Sequence, residues 1–439
     1  MTEIISLLVC LEDHLSSTTL RQLGHIILAM LCIPNKATML GLSRWAEKGG
    51  SYRTLQRLYQ TPINWFLIHK ALLQTHLLRS DGLYVLAGDE VVVSKAGKKT
   101  HGVGRFYSGL AQRVIPGISF LALSLIDVKE RRSYPLHIQQ LLPTPGVEKV
   151  RISARKRSRG RPKGSKNYVK PDPILSATLC LLQGMLTPIQ AQIAHLQVKH
   201  IVLDCKFGNY PATWVVQQAG LHIISKMRHD AALYLPYSGD KPSRGPTPRY
   251  GDKLLYAQLP ADKLVSTYRE DDYCCQTYQL PAYHKDYPDL LNVVIIVKTH
   301  LITGKRAHIV LFSTDLNLSA DQLVDFYRLR FQIEFNFRDA KQYWGLEDFM
   351  NVSEIALTSA VNLAFLMVNL SHILLKPYRD HDPHFSVLDL KALFRAQRYL
   401  SETIKMLPQT PEPDLISRIW RRLACFGGIR TRQVIPFGS

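Results

Sequence analysis

Hydrophobic and polar positions recur along this chain with three different periods. Over residues 1–80 the apolar residues keep helical spacing, most clearly from Leu20 through Cys32. Pro34 and Asn35 interrupt that pattern, and a second helix is predicted over residues 38–46. Gly49 and Gly50 make a turn, and Ser51 opens a third helix bearing Tyr52, Arg53, Arg57 and Tyr59. From residue 82 the period shortens. LYVLAGDEVVV predicts a strand with Asp89 in its middle, and VIPGISFLALSLIDV (114–128) predicts another. A short strand over residues 101–107 is expected between them, giving an antiparallel meander.

After Pro171 helix and strand alternate. Helices are predicted over 174–186 and 188–196, with a buried strand HIVLD (200–204) ending in Asp204. A helix over 211–219 and a strand over 221–226 follow, which is α/β organisation. Residues 228–312 are rich in turn formers and tyrosine. LNVVIIVKTH and AHIVLFSTD flank a turn at Thr303-Gly304-Lys305, the pattern of an antiparallel insertion. Ser319 and Gln322 form a capping box that opens a helix through Lys341. Further helices are expected over 357–375, 387–400 and 415–426. The run 357–375 is the most lipid-like, but Asn362, Asn369 and His372 within it point to a buried core helix rather than a membrane span. No internal repeat is present.

Composition sharpens this picture. The 439 residues are 46% hydrophobic and 21% charged, enough for two or three folded domains. The formal net charge of +20 favours a polyanionic partner, of which nucleic acid is the commonest. The helix, turn and basic helix over 38–60 then fit a DNA-reading module, although eight Lys and Arg against four acids in residues 1–80 fit a plain helical bundle too. Seven cysteines without a C-x-x-C pair fit reduced thiols in a cytoplasmic protein and no zinc site. Glu3 and the lack of a basic start argue against a signal peptide. Residues 151–170 hold nine basic residues and no acid. Within them Arg159-Gly160-Arg161-Pro162, followed by Lys163, resembles an AT-hook, in which arginines enter the narrow minor groove of A·T tracts. The alternative is a basic loop that contacts phosphates without sequence preference.

The densest chemistry lies in YRLRFQIEFNFRDAK, residues 327–341. On one continuous helix Tyr327, Arg330, Glu334 and Lys341 fall within roughly 60° of one another. Arg338 lies in the same sector. Beside them runs an apolar stripe of Phe326, Leu329, Ile333, Phe337 and Ala340. An acid flanked by cations suits a site that handles metal and phosphate together; the alternative is a solvated helix with an i, i+4 ion pair. Asp89 and Asp204, in or at the end of buried strands, shift the balance. Buried carboxylates are costly unless paired or metal-bound, and hard cations such as Mg²⁺ take oxygen ligands. Glu90 adjoins Asp89 but alternation turns it to the other face of the strand. Asp127 and Asp315 also end strands and remain candidates by spacing alone.

Asp89 and Asp204 in strands, with Tyr-x2-Arg-x3-Glu-x6-Lys on a helix, resemble the DDE transposases of bacterial insertion sequences, specifically the group with the Tyr-Arg-Glu-Lys (YREK) signature. LFSTDLNLSADQLVDFYRLRFQIEFNFRDAKQYWGLEDF is similar to that group's third-acid block, and SRWAEKGGSYRTLQRLY to its N-terminal block. The resemblance implies an α/β fold with a ribonuclease-H-like catalytic core and a β-rich insertion, plus helical N-terminal and C-terminal regions. The corresponding divisions are a helical DNA-binding domain (1–80), the first part of the core (81–227), the insertion (228–312), the catalytic helix completing the core (313–349) and a helical C-terminal region (350–439). It implies that Asp89, Asp204 and Glu334 are catalytic and bind two Mg²⁺ ions, with Mn²⁺ as a substitute. It assigns Tyr327, Arg330, Lys341 and Arg338 to DNA, with Arg53 and Arg57 of the N-terminal helix and Arg159, Arg161 and Lys163 of the basic loop.

The implied activity is that of an endonuclease and transposase of the cytoplasmic, nucleoid-associated kind, with no membrane partner. It binds double-stranded DNA at element ends and target, acts as a homodimer in the synaptic complex, and cuts to free a 3′-hydroxyl that joins target DNA. Some relatives stack a tryptophan of the insertion on a flipped base. No Trp occurs between Trp214 and Trp344, so Tyr234, Tyr237, Tyr250 and Tyr256 are the aromatic alternatives. Two other readings remain open from sequence: a nuclease of the same fold that transfers no strand, and a domesticated transposase that only binds DNA. The basic loop generates the first prediction. Deleting residues 155–166 removes seven Lys and Arg and should weaken DNA binding. The slope of log K against log salt should fall by about 0.9 for each phosphate that the loop neutralises; an unchanged slope in a filter-binding titration means that the loop does not touch DNA.

Overall fold

A computed structural model of the chain describes residues 2–46, 49–108, 112–142, 173–240 and 245–423. The basic loop with Arg159, Arg161 and Lys163 lies outside the described residues, as does the end of the last expected helix. Five helices come first: α1 (Thr2–Leu8), α2 (Ser17–Cys32), α3 (Met39–Trp45), α4 (Tyr52–Gln60) and α5 (Trp65–His76). Their starts follow from the polar caps. The side chains of Ser16, Thr38, Ser51 and Asn64 accept from backbone amides of the first turns of α2 to α5. Then come β1 (Tyr84–Ser94), β2 (Gly104–Ser108), β3 (Arg113–Asp127), β4 (Arg132–Leu141), α6 (Pro173–Ile193), β5 (His200–Leu203), α7 (Tyr210–Gln218) and β6 (His222–Met227). The strands β7 (Leu233–Pro236), β8 (Tyr250–Lys253), β9 (Leu264–Glu270), β10 (Tyr273–His284), β11 (Leu291–His300) and β12 (Arg306–Ser313) follow. Last are α8 (Ala320–Leu329), α9 (Gln332–Tyr343), α10 (Glu354–Arg379), α11 (Val387–Met406) and α12 (Pro413–Leu423).

The twelve strands of the described residues join one mixed sheet. β1 is central in its first half. It pairs antiparallel with β3 along its whole length and parallel with β5, which in turn runs parallel to β6. β4 pairs with the later part of β3, so β4-β3-β1-β5-β6 is the local order, with β3 alone reversed. β12 then pairs antiparallel with β6 and leads through β11 to β10, so the strands after residue 228 extend this sheet. One face meets α6 and α7 through Leu86, Leu123, Leu203, Leu182, Met185 and Val216. On the other, Val85, Val202 and Ile224 meet Leu323 and Phe326 of α8, and Ala87 and Ile126 meet Leu329 and Ile333. Along the same chain, residues of α2, α4, α10 and α11 share one cluster with Val91 and Val93 of β1. Helix α10 is long and apolar enough to cross a membrane, yet 83% of its most apolar window is buried inside the protein.

Four sequence expectations are corrected. The short strand expected between the two long ones is instead β2, paired with β3 on the side away from β1, so the strands are not a meander in chain order. β3 is buried continuously from Gly117 to Asp127 and so belongs inside the sheet, whereas β2 exposes Tyr107. β4 was not expected, because Pro135 breaks its pattern; the chain accommodates that proline beside a register shift at Leu123/Ser124. The two helices divided at Pro188 are one helix, α6. Leu182, Met185, Leu186, Ile189 and Ile193 form one buried stripe across the proline, and that burial outweighs a single missing hydrogen bond. The helix expected through residues 327–341 is broken. Between α8 and α9 the amides of Arg330, Phe331, Ile333 and Glu334 bond to carbonyls three residues back, a tighter winding than the α-helix.

The end of α9 is tied to both helical regions. Lys391 Nζ of α11 donates to Met30 O (2.9 Å) and Tyr343 O (3.0 Å), and the Ala37 amide donates to Asp348 Oδ2 at 2.9 Å. Gly345 turns the chain there with φ +74°, and a Cβ on it would fall 2.5 Å from the Ala37 Cβ. Gly345→Ala therefore combines backbone strain with a clash and should cost about 2–4 kcal/mol. Gly184→Ala, in the middle of α6 with no atom within 4 Å of the new methyl, should stabilise by about 0.5–1 kcal/mol. Urea midpoints of the two variants check the pair, and a neutral Gly345→Ala would contradict the packed turn.

Candidate functional site

The parallel pairing of β1 with β5 builds the site. Ala87 lies opposite Val202 and Gly88 opposite Leu203, so the next residues in register are Asp89 and Asp204. Alternation puts Asp89 on the face of Val85 and Ala87, beneath α8 and α9. Gly88 points its absent side chain the other way, where a Cβ would meet Leu203 and Leu123. Asp204 closes β5 and begins a turn: its Oδ1 accepts from Lys206 N (3.1 Å), and Ser225 Oγ donates to its carbonyl (2.8 Å).

Arg330, at the break between α8 and α9, reaches down to these acids. Its Nη1 donates to Asp89 Oδ2 at 2.8 Å and its Nη2 to Glu334 Oε1 at 3.2 Å. The Arg330 side chain is only 17% exposed and that of Asp89 21%, against 42% for Glu334. The Asp89 carboxyl is pushed up to about 6: burial raises it most, Arg330 opposes, and Asp204 and Glu334 add to the rise. The Asp204 carboxyl is raised too, first by burial, against the pull of Arg330. Tyr327 feels the same charges: burial raises its phenol, with Arg330 opposing and the charge of Asp204 adding. The structure thus brings Asp89, Asp204, Glu334, Tyr327 and Arg330 into one electrostatic unit.

The other predicted residues are placed differently. Lys341 pairs with Glu347 at 2.9 Å and donates to Val92 O at 3.2 Å. It lies three residues along β1 from Asp89, about 10 Å at strand rise. Arg338 bonds its neighbour Asp339 (2.9 Å) and stacks 4.7 Å over the Phe335 ring. Arg53 and Arg57 are exposed on α4, one turn apart, opposite the buried Leu55, Leu58 and Tyr59. Of the competing acids, Glu90 faces α6, where Thr178 Oγ1 donates to it at 3.2 Å and Lys206 pairs with it. Asp127 is buried, pairs with the partly exposed Arg79 at 3.6 Å and accepts from the Glu130 amide. Asp315 pairs with His200 at 2.9 Å. Tyr256 is engaged in the fold, donating to Ala231 O at 2.7 Å and stacked on His308, and Tyr237 donates to Asp240 O. Tyr234 and Tyr250 meet edge to face at 5.5 Å.

One residue that the sequence pattern did not single out supports the helix bearing Glu334. Asn336 is buried in α9 and donates to Ser124 Oγ (3.3 Å) of β3 and Ser133 Oγ (2.8 Å) of β4. A polar residue two positions from the acid, inside the apolar stripe, was the available signal.

Among the described residues no three His, Cys, Asp or Glu side chains stand close enough together to hold a metal ion. The donor chemistry nevertheless fits one. Asp89, Asp204 and Glu334 offer only hard oxygens, and the place between Asp89 and Glu334 is already filled by a cation, the Arg330 guanidinium.

Fold and site together define a class: a mixed α/β protein whose sheet carries Asp89 and Asp204 at neighbouring register positions beneath Arg330, suited to phosphodiester chemistry. The sequence comparison then gives the family. The model of the DDE superfamily endonucleases matches residues 10–279, more than half of the chain, and the chain belongs to that family. A search of curated proteins finds no match. The matched span contains Asp89 and Asp204 and ends before Glu334. DDE endonucleases act on DNA and typically use divalent metal ions.

The raised carboxyls generate a stability prediction. A carboxyl whose folded pKa exceeds its unfolded one binds more protons when native, so its cost is absent below about pH 4 and grows as pH rises through about 6. In metal-free protein at pH 7, Asp89→Asn should therefore stabilise by roughly 1–3 kcal/mol, with the gain vanishing near pH 4. Thermal unfolding across that range checks it; a gain that is the same at both ends contradicts the buried, repelled carboxylate.

Proposed function

We propose that the protein is a DNA transposase of the YREK group, which cuts the terminal inverted repeats of its element and joins the freed 3′-hydroxyls to target DNA. One observation carries this reading: a single guanidinium, Arg330, bridges Asp89 of the family-matched region to Glu334 of the helix beyond it. That contact supports Glu334 as the third acid. The strand order β4-β3-β1-β5-β6, with only β3 reversed, supports a ribonuclease-H-like core, with the strands from β7 to β12 as its insertion. Residues 1–80 serve as the DNA-binding domain and residues 350–439 as the C-terminal helical region.

In this reading Asp89, Asp204 and Glu334 hold Mg²⁺, two ions in all, with Mn²⁺ as a substitute. The metal supplies Lewis acidity to the phosphodiester and lowers the pKa of the attacking water or hydroxyl. The protein's own groups do the positioning. Arg330 grips a phosphate bidentately and Lys341, about 10 Å further along β1, neutralises the strand as a point charge. Tyr327 donates from the wall beside them. Arg53 and Arg57 of α4, with the basic loop at Arg159, Arg161 and Lys163, bind the duplex away from the cut, and Arg338 adds charge to the helix. Two element ends call for two copies of the chain, and the work is done in the bacterial cytoplasm.

The test is cleavage of the element's own end DNA in Mg²⁺. Asp89→Asn, Asp204→Asn and Glu334→Gln should each lower the cleavage rate by about a thousandfold or more with end binding retained in gel shift. Wild-type cleavage by any of the three removes that residue from the site. Cleavage by the native protein without strand joining would leave a nuclease rather than a transposase.

A further inference from the structure

We propose that Arg330 is the resident counter-cation of the carboxylate site: without DNA it excludes metal, and a DNA phosphate must draw it away before metal loads. This rests on the transposase reading above.

The geometry gives the reason. Arg330 contacts Asp89 at 2.8 Å and Glu334 at 3.2 Å and is largely buried. A planar guanidinium spanning two carboxylates uses the oxygens that a divalent ion would need and repels that ion at close range. No three acids stand together as a ready metal site among the described residues, and two of the candidates share the arginine's fork. Removing the arginine without replacement would leave the largely buried Asp89 carboxylate unpaired beside Asp204 and Glu334, which is costly. An exchange avoids that cost. A phosphate takes the guanidinium while a metal ion takes the carboxylates, so each charge stays paired throughout. Arg330 is placed for such a move. It occupies the break between α8 and α9, where its amide makes no bond four residues back and reaches Tyr327 O (3.3 Å) and Arg328 O instead. Lys341, held by Glu347 at 2.9 Å, is a second cation resting on an acid until phosphate arrives.

The experiment measures Mn²⁺ binding by calorimetry and by loss of free-ion EPR signal, with the full chain. Asp89→Asn serves as the background for sites elsewhere and for ions held by DNA. Without DNA, Arg330→Gln should bind Mn²⁺ at the Asp89-dependent site on the order of tenfold to a thousandfold more tightly than wild type. Its melting temperature should also rise more on Mn²⁺ addition. Arg330→Lys, which keeps the charge, should stay close to wild type. Adding a short random-sequence duplex should tighten Mn²⁺ binding by wild type but leave Arg330→Gln unchanged. Equal or weaker binding by Arg330→Gln, or wild-type affinity unaffected by DNA, overturns the proposal; the wild-type comparison decides it even if Arg330→Gln does not fold. Asp89-dependent binding absent from every protein, with and without DNA, overturns the metal-dependent reading itself.

Discussion

Like charges in a poorly hydrated place repel, and here Asp204 and Glu334 both act on the largely buried Asp89. The interaction that makes this tolerable is the Arg330 fork between Asp89 and Glu334. Buried ion pairs seldom add net stability, because each partner loses its water. Breaking one leaves a stranded charge, so the pair constrains the structure even where it adds no stability. Here it links the centre of the sheet to the start of α9. The raised carboxyl of Asp89 marks the residual cost, of the kind expected where a site is kept for chemistry rather than for stability.

The surroundings follow from that constraint. The parallel register of β1 with β5 sets Asp89 beside Asp204, and the adjoining antiparallel β3 covers the other edge of β1. Glu334 has to descend on the same point from a helix. Asn336, bonded to the hydroxyls of Ser124 and Ser133, fixes how that helix lies on β3 and β4, while Ile333 and Ala340 bury its apolar side. Lys391, Ala37 and Gly345 then fasten the far end of α9 to the helices at both ends of the chain. The segments on either side of the sheet in the chain are thus in direct contact with the end of the helix that carries Glu334.

Most long elements were legible because burial leaves a period in the sequence. The helices α2, α4 and α10 and the strands β1, β3 and β11 show it plainly, and caps such as Ser51 and the Ser319–Gln322 box mark their starts. Failures came where tertiary burial overrode a local rule. Pro188 does not end α6, since the sheet beneath rewards a continuous stripe. Pro135 does not prevent β4, since its strand lies on the outer side of β3 at a register shift.

The sequence by itself determined which residue types lie on which strand or helix: Asp89 within an apolar run, Asp204 at the end of one, and Tyr327, Arg330 and Glu334 spaced by helical turns. Alternation alone also turned Glu90 away from Asp89, and the structure has it on the α6 face. What only the tertiary structure decided was company. Whether Asp127 and Asp315 belonged with the other acids depended on partners far along the chain, Arg79 and His200. The break at Arg330, which a continuous stripe does not announce, depended on the helix having to seat its apolar side while its arginine reached Asp89. Periodicity records how each segment is buried, but long-range pairing of charges is settled only when the segments meet.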